Sequence, residues 1–343
     1  MGKHTVTIKD VAALANVSVA TVSNVIRGKD GLYSTETAQR VWDTINSCGY
    51  QPNHAARSLV LRRTNTLGIA IEEETHGVFT RNAYISGILD GFLEHALVED
   101  YQIRIVLTKD STINQIRSTC EDGSMDGILV IAPTLIGDFI PWLKTSHLPS
   151  VVVGSIPPDL PCPCIDVDDV QAVYRLTKLL IDNGHRNIGL IKAQPALWTS
   201  RRREQGYKMA LDEAGIKWKS AWIQHGTEST LNAGRTCALD IIREAPELTA
   251  IVCANDYVAL GAMESLREQK IRVCEDISIV GFDNIEAGRW SSPNLTTVSQ
   301  PLHDMGRKAT EMLIDQIRTG IKEAITTLYP GTLIQRQSVK KIA

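Results

Sequence analysis

Two hydrophobic rhythms divide the chain. Up to about residue 63, apolar side chains recur every third or fourth position in short bursts, as on amphipathic helices. Beyond it, blocks of Val, Ile and Leu alternate with longer stretches at helical spacing, the mark of buried strands joined by helices. In the first part, Thr7-Ile8-Lys9-Asp10 sets a capping hydroxyl three residues before an acid, which opens a helix. Val11, Leu14 and Ala15 follow on one face, and Asn16-Val17-Ser18 breaks the spacing. Ser18 caps a second helix with Val22, Val25 and Ile26 inward, stopped at Gly28-Lys29-Asp30-Gly31. A third helix starts at Ser34, carries Ala38, Val41, Trp42 and Ile45, and ends at Gly49. This pattern fits a helix-turn-helix DNA reader better than the alternative, a plain three-helix accessory module. In a DNA reader, Ala12, Val17, Val22 and Val25 pack inward. Val19, Ala20, Thr21, Ser23 and Asn24 then face a major groove, where Asn and Ser bond base edges and Val and Ala touch thymine methyls. Thr7 and Ser18, at helix starts, suit phosphates.

The second part predicts strands at 66–71, 103–108, 127–132, 150–154, 188–192, 250–254 and 277–282, and a last one at 332–336. Helices are expected at 84–97, 170–183, 203–214, 231–243, 257–269 and 302–319. Such alternation means parallel sheet covered on both faces. The fold class is therefore an all-α helix-turn-helix head plus an α/β body. No G-x-G-x-x-G motif opens any of these helices.

Charge sharpens the division. The 343 residues carry a net −3, yet residues 1–63 hold eight Lys/Arg against four acids, a net +4, which leaves −7 for the remainder. A basic head on an acidic body fits a polyanion partner for the head alone, and also a solvated surface. The seven cysteines are odd in number and sit mostly in apolar runs, as buried thiols do in a reducing compartment. Cys162-Pro163-Cys164 lacks a second Cys/His pair nearby, so no metal site is expected. The N-terminus has no apolar leader stretch and the chain no run of about 18 apolar residues, which points to a cytoplasmic protein with no membrane partner.

Family likeness enters at Thr7-Ile8-Lys9-Asp10-Val11-Ala12 and Val17-Ser18-Val19-Ala20-Thr21-Val22-Ser23-Asn24-Val25-Ile26. These segments resemble the head of the lactose-repressor (LacI/GalR) family of transcription regulators. So do Gly49-Tyr50-Gln51-Pro52-Asn53-His54-Ala55-Ala56-Arg57-Ser58-Leu59, Ala254-Asn255-Asp256, Asp276-Ile277-Ser278-Ile279-Val280-Gly281-Phe282-Asp283-Asn284 and Leu295-Thr296-Thr297-Val298. The resemblance covers nearly the whole chain and keeps the family's order. It implies recognition residues at Val19, Ala20 and Asn24, with Asn24 replacing the commoner Arg. It also implies a hinge helix over 53–60, with Asn53, His54, Ala56 and Leu59 on DNA and Leu59 wedged into the minor groove. The body then resembles the periplasmic-binding-protein-like (type I) fold, with two lobes and chain crossings near 164–167, 294–295 and 328–331. Expected boundaries are 1–52 for the head, 53–63 for the hinge and linker, and 64–343 for the effector-binding and dimerisation domain. Its N-lobe spans about 64–165 and 295–328, and its C-lobe about 166–294 and 329–343.

Ligands in such sheets lie beyond the carboxyl ends of the strands. The resemblance places effector contacts at Arg203, Asn255, Asp283 and Gln300, with Trp198 and Phe79 beside them; Asp256 is expected as a helix cap and Asn284 as a turn residue. The implied partners are a near-palindromic double-stranded operator, a small-molecule effector such as a sugar, and a second copy in a homodimer, since no leucine heptads follow the last strand. No cofactor is expected. A transporter's sugar-binding protein and an enzyme are the rivals. The capped head argues against the first. Against the second stand the missing nucleophile elbow, H-E-x-x-H and Ser-His-Asp order.

Overall fold

The structure, a computed structural model, describes residues 6–26, 28–29, 31–50, 63–72, 82–108, 111–192 and 194–342. The chain separates into two compact units, Met1–Thr64 and Asn65–Ala343.

The first unit holds α1 (Ile8–Leu14), α2 (Val19–Ile26) and α3 (Thr35–Cys48). Thr7 and Asp10 close a reciprocal capping box: the Thr7 N–H donates to Asp10 Oδ2 at 2.8 Å and the Asp10 N–H to Thr7 Oγ1 at 3.4 Å. Ser18 Oγ accepts from the Thr21 N–H at 3.0 Å, and Ser34 Oγ from the Thr37 N–H at 3.2 Å. Asn16, at φ 53, turns the chain between α1 and α2. Val11, Ala12, Ala15, Val22, Val25, Val41 and Ile45 form the core. Leu14 does not join it and is 67% exposed. The buried arc of α1 runs through Val11, Ala15 and Ala12, which leaves position 14 beyond its edge. Trp42 likewise stays on the outer side of α3.

The second unit is built on two parallel sheets. The first joins β1 (Thr66–Glu72), β2 (Gln102–Thr108), β3 (Gly127–Ile131), β4 (Ser150–Val153), β5 (Cys164–Val167) and β11 (Thr326–Tyr329) in the order β11-β5-β4-β3-β1-β2. The second orders β6 (Ile188–Lys192), β7 (Ile223–His225), β8 (Ala250–Cys253) and β9 (Ser278–Val280) as β7-β6-β8-β9. All ladders in both sheets are parallel. Helices cover both faces of each sheet, because strands such as Gly127–Ile131 and Ala250–Cys253 are buried along their whole length. On the first sheet, α4 (Ala83–Val98) and α12 (Leu302–Thr319) cover one face, and α5 (Ile113–Cys120) and α6 (Phe139–Leu143) the other. On the second, α7 (Asp169–Asp182) and α8 (Trp198–Glu213) lie opposite α9 (Leu231–Glu244) and α10 (Asp256–Glu268), and the short α11 (Glu286–Trp290) follows β9.

Two details differ from the sequence pattern. Strand β10 (Thr297–Ser299) pairs antiparallel with β12 (Thr332–Ile334) and is bridged to the second sheet through Val280–Thr296 and Asp283–Ser299. The second crossing therefore follows Ser299, later than the expected 294–295. Helix α8 begins at Trp198, a full turn before Arg203, so that the arginine sits inside a helix.

Helices α4 and α12 meet through glycines. A Cβ at Gly91 would fall 1.9 Å from the His303 carbonyl oxygen, and one at Gly306 would fall 2.1 Å from that of Ile88. Gly91→Ala is expected to destabilise the protein by about 3 kcal/mol, because neither backbone can yield without separating the helices. A lower urea midpoint with an unchanged m-value would show it; an unshifted midpoint would refute this packing argument.

Candidate functional site

On the head, the exposed side of α2 carries Val19, which is 42% exposed, and Ala20. Thr21, Ser23 and Asn24 are half-buried beside them, while Val22 and Val25 point into the core. Ser18 and Thr21 hydroxyls bond each other at 2.8 Å, and the Thr7 hydroxyl donates to Asp10 at 2.8 Å, so all three build helix starts. Asn53, His54, Ala56, Leu59 and Phe79 lie outside the described residues.

In the body, side chains gather where the strands of both sheets end. Arg203, on α8, donates from Nε to Asp169 Oδ1 at 2.8 Å and from Nη1 to the Ala254 carbonyl, with its guanidinium 3.8 Å above the Phe282 ring. Asp169, at the start of α7, is fully buried. Burial works against the Arg203 charge, but Asp169 and Asp283 outweigh it and hold the guanidinium protonated. Asp166, on β5, is buried as well; burial and repulsion from Asp169 drive its carboxyl up. Gln300 donates to Asp283 Oδ1 at 2.6 Å. Burial pushes Asp283 up to about 6, against the pull of Arg203.

The cap expected of Asp256 is made by its neighbour Asn255, whose side-chain oxygen accepts from the Val258 N–H at 2.8 Å. Asp256 instead braces the following turn, accepting from the Ile285 N–H at 2.8 Å and the Thr297 hydroxyl at 2.6 Å. Burial lifts it to about 7. Asn284, with φ 58, is more than a turn residue: it accepts from Arg336 at 2.6 Å and donates to Ser299 at 3.2 Å.

Two hydrogen bonds join loops that follow strands of the two sheets. The Trp198 N–H donates to Ser155 Oγ at 2.9 Å, and the Leu135 N–H to the Ala196 carbonyl at 2.7 Å. Tyr84 was not anticipated. It reaches from α4 to the end of β4, where Gly154 (φ 74) has no Cβ to obstruct its hydroxyl. Burial and the neighbouring Asp166 and Asp169 carboxylates raise its phenol. Asp166 and Asp169 were missed too, although an acid inside the apolar run Cys164-Ile165-Asp166-Val167 was a visible signal.

These carboxylates set a pH dependence. Unfolded aspartates titrate near 3.9, so between about pH 4 and 7 the folded state keeps protons on Asp283 and Asp256 that the unfolded state releases. Their contribution to stability is therefore fullest at acid pH and is lost as pH rises through those values. His185 acts in the opposite sense, since its buried ring, bonded to Thr249 and Lys340, is held neutral. A difference measurement separates the two. The advantage of Asp283→Asn over the wild type should grow between pH 5 and pH 8 by roughly 1.5 kcal/mol. An equal gap in thermal melts at both pH values would contradict the assignment.

Residues 7–53 match the family described as bacterial regulatory proteins, lacI family, and residues 177–339 match a periplasmic binding protein-like domain. The HTH-type transcriptional repressor PurR of Pasteurella multocida is 33% identical over 339 residues, covering 97% of this chain and 98% of the relative. The chain belongs to the lacI family of bacterial regulatory proteins. PurR of Vibrio vulnificus is also 33% identical, over 98% of this chain and 99% of its own. Among solved structures, the regulator CelR in complex with cellobiose has a TM-score of 0.75 at 27% identity, covering 97% of this chain and 99% of that one. A lac repressor dimer bound to operator and the anti-inducer ONPF shares the fold, with a TM-score of 0.84 at 23% identity over 97% and 98% of the two chains. As a lacI-family member, the protein is a DNA-binding transcription regulator with an effector-sensing body, and the family likeness read from its motifs holds along nearly the whole length.

Proposed function

We propose that the protein is a homodimeric repressor that acts in the cytoplasm without enzymatic activity. It reads a near-palindromic operator through Val19, Ala20, Thr21, Ser23 and Asn24, with Thr7 and Ser18 placing the helix starts on phosphates. Asn53, His54, Ala56 and Leu59 complete the DNA contacts. The effector is gripped between the lobes by Arg203, Asn255, Asp283 and Gln300, flanked by Trp198 and Phe79. The domain boundaries follow the same reading, with a head to residue 52, a hinge to 63 and the sensing body beyond. The observation that supports the effector site is Arg203 itself. It is locked between Asp169, the Ala254 carbonyl and Phe282 at the strand ends, which is the preorganisation a binding guanidinium needs.

Control of DNA reading follows from a two-state switch. Effector binding shifts the closure of the lobes, and the paired hinge segments order or melt with it. A ligand moves that balance only by its differential affinity, and full reversal takes about 10⁴-fold, about 5.5 kcal/mol. A thermal-shift screen of sugars, polyols and nucleobases identifies the ligand by the stability it adds. Titrating that ligand against a labelled operator should then change the Kd at least about ten-fold. An unchanged Kd at saturating ligand would refute effector control.

A further inference from the structure

The turn that carries Asp283 is held in a costly shape. Asp283 has φ 114 and Asn284 φ 58, two left-handed residues in succession and neither of them glycine. Asparagine tolerates the second value, but the first lies outside the small left-handed basin open to a side chain. Such backbone persists only where its surroundings over-determine it.

Two clamps hold it. Asp256 grips one side through the Ile285 N–H and the Thr297 hydroxyl, and it fits because a Cβ at Gly281 would fall 2.1 Å from its Oδ1. The other clamp comes from the last chain crossing. Arg336, two residues past β12, donates from Nη2 to Asn284 Oδ1 at 2.6 Å and from Nη1 to the Leu295 carbonyl at 2.8 Å. Its own N–H donates to Thr296 Oγ1 at 2.9 Å. Asn284 passes the contact on to Ser299 at 3.2 Å, the last residue of β10 before the chain crosses to Gln300 and α12. Burial and the nearby Arg289 work against the Arg336 charge, and both of these guanidinium bonds go to neutral oxygens. What the arginine contributes there is geometry, because its planar fork fixes two points at once.

Resting on the reading of Asp283 as an effector contact, we propose that Arg336 is a positioning residue for the effector site. Acting through Asn284, it keeps the Asp283 turn in the shape that meets the ligand and ties that turn to β10 and β12, which lie on two of the chain crossings between the lobes. A ligand seated on Asp283 then pulls on the crossing strands, and a shift of those strands moves Asp283 by the same linkage.

Urea melts of the full chain at pH 5 and pH 8 test the clamp without an identified ligand. Arg203, Asp169, Asp256 and Gln300 act on the Asp283 carboxyl, and none of them is altered. With Arg336 present, Asp283→Asn should change the ratio of unfolding constants between the two pH values roughly ten-fold. With Arg336→Ala the turn relaxes, the carboxyl meets water, and the factor should fall below about two-fold. Arg336→Lys keeps the stem and the charge but not the fork, so it should behave alike, and it serves where the alanine variant does not fold. Ser338→Ala is the control. It removes a hydroxyl that accepts from the Thr296 N–H and donates to the Ile279 carbonyl, so it should lower stability and keep the ten-fold factor. A factor retained in both Arg336 variants, lost equally in Ser338→Ala, or near one from the start would overturn the proposal. The second arm titrates operator complexes with a protein-free small-molecule extract of bacterial cells. Arg336→Ala should need at least about ten-fold more extract for the same change in operator Kd. A normal response in that variant would overturn the proposal while the effector cleft stands. If the wild type does not respond either, effector control itself is refuted and the proposal falls with it.

Discussion

Arg203→Ala is expected to lower the stability of the body by about 3–5 kcal/mol and to make operator binding indifferent to the effector. Both effects have one origin. The guanidinium is the partner of Asp169, which is fully buried, and removing one half of a buried pair strands the other charge in an interior that cannot solvate it. The loss extends to the Ala254 carbonyl and to the Phe282 face that the guanidinium covers. Urea unfolding reads the first effect, and effector titration of a protein–operator complex reads the second. Arg203→Lys separates them. It keeps a positive charge near Asp169 but loses the planar fork that reaches Asp169 and Ala254 together, so stability should largely return while the effector response does not. Wild-type stability with an intact response in Arg203→Ala would remove the basis of the cleft.

The second large effect belongs to the other end of the molecule. Leu59→Ala should weaken operator affinity by about 2 kcal/mol, roughly thirty-fold, and leave effector binding as it was. An apolar wedge unstacks a base step and bends the duplex so that more protein surface meets it, and alanine is too short to hold the step open. Residue 59 lies outside the described residues, so this expectation rests on the family motif alone. Fluorescence anisotropy on operator duplex and calorimetry on effector give the two readings. Loss of effector binding with operator affinity intact would show that the motif had been placed on the wrong role.

Local signals in the sequence survived into the structure where local physics decides. The Thr7–Asp10 capping box, the Ser18 and Ser34 caps and the Gly49 stop are interactions within a few residues of chain, and their chemistry needs no tertiary partner. The buried parallel strands were legible because continuous Val/Ile runs have no other comfortable place. Arg203, Asp283 and Gln300 came from motif likeness, and the last two are hydrogen-bonded to each other.

What escaped was set at a distance. Leu14 fits a helical stripe as well as Ala12 does, and only the placement of α2 and α3 decides which side is covered. Asp169 read as one more helix-start acid, yet its meaning comes from an arginine thirty-four positions later in the chain. Tyr84 looks like an ordinary helix residue until Gly154, just past the end of β4, vacates the space for its hydroxyl. Asn255 and Asp256 are adjacent capping types, and the sequence alone does not say which accepts from Val258 and which from Ile285. Strand β10 is only three residues long, so its sheet is assigned by bridges and not by pattern.

Selection of duplexes from a randomised pool by the purified full-length protein, run with and without a metabolite extract, tests the central claim most directly. The account predicts enrichment of one near-palindromic sequence whose yield changes with the extract. A pool that stays random under both conditions would contradict it.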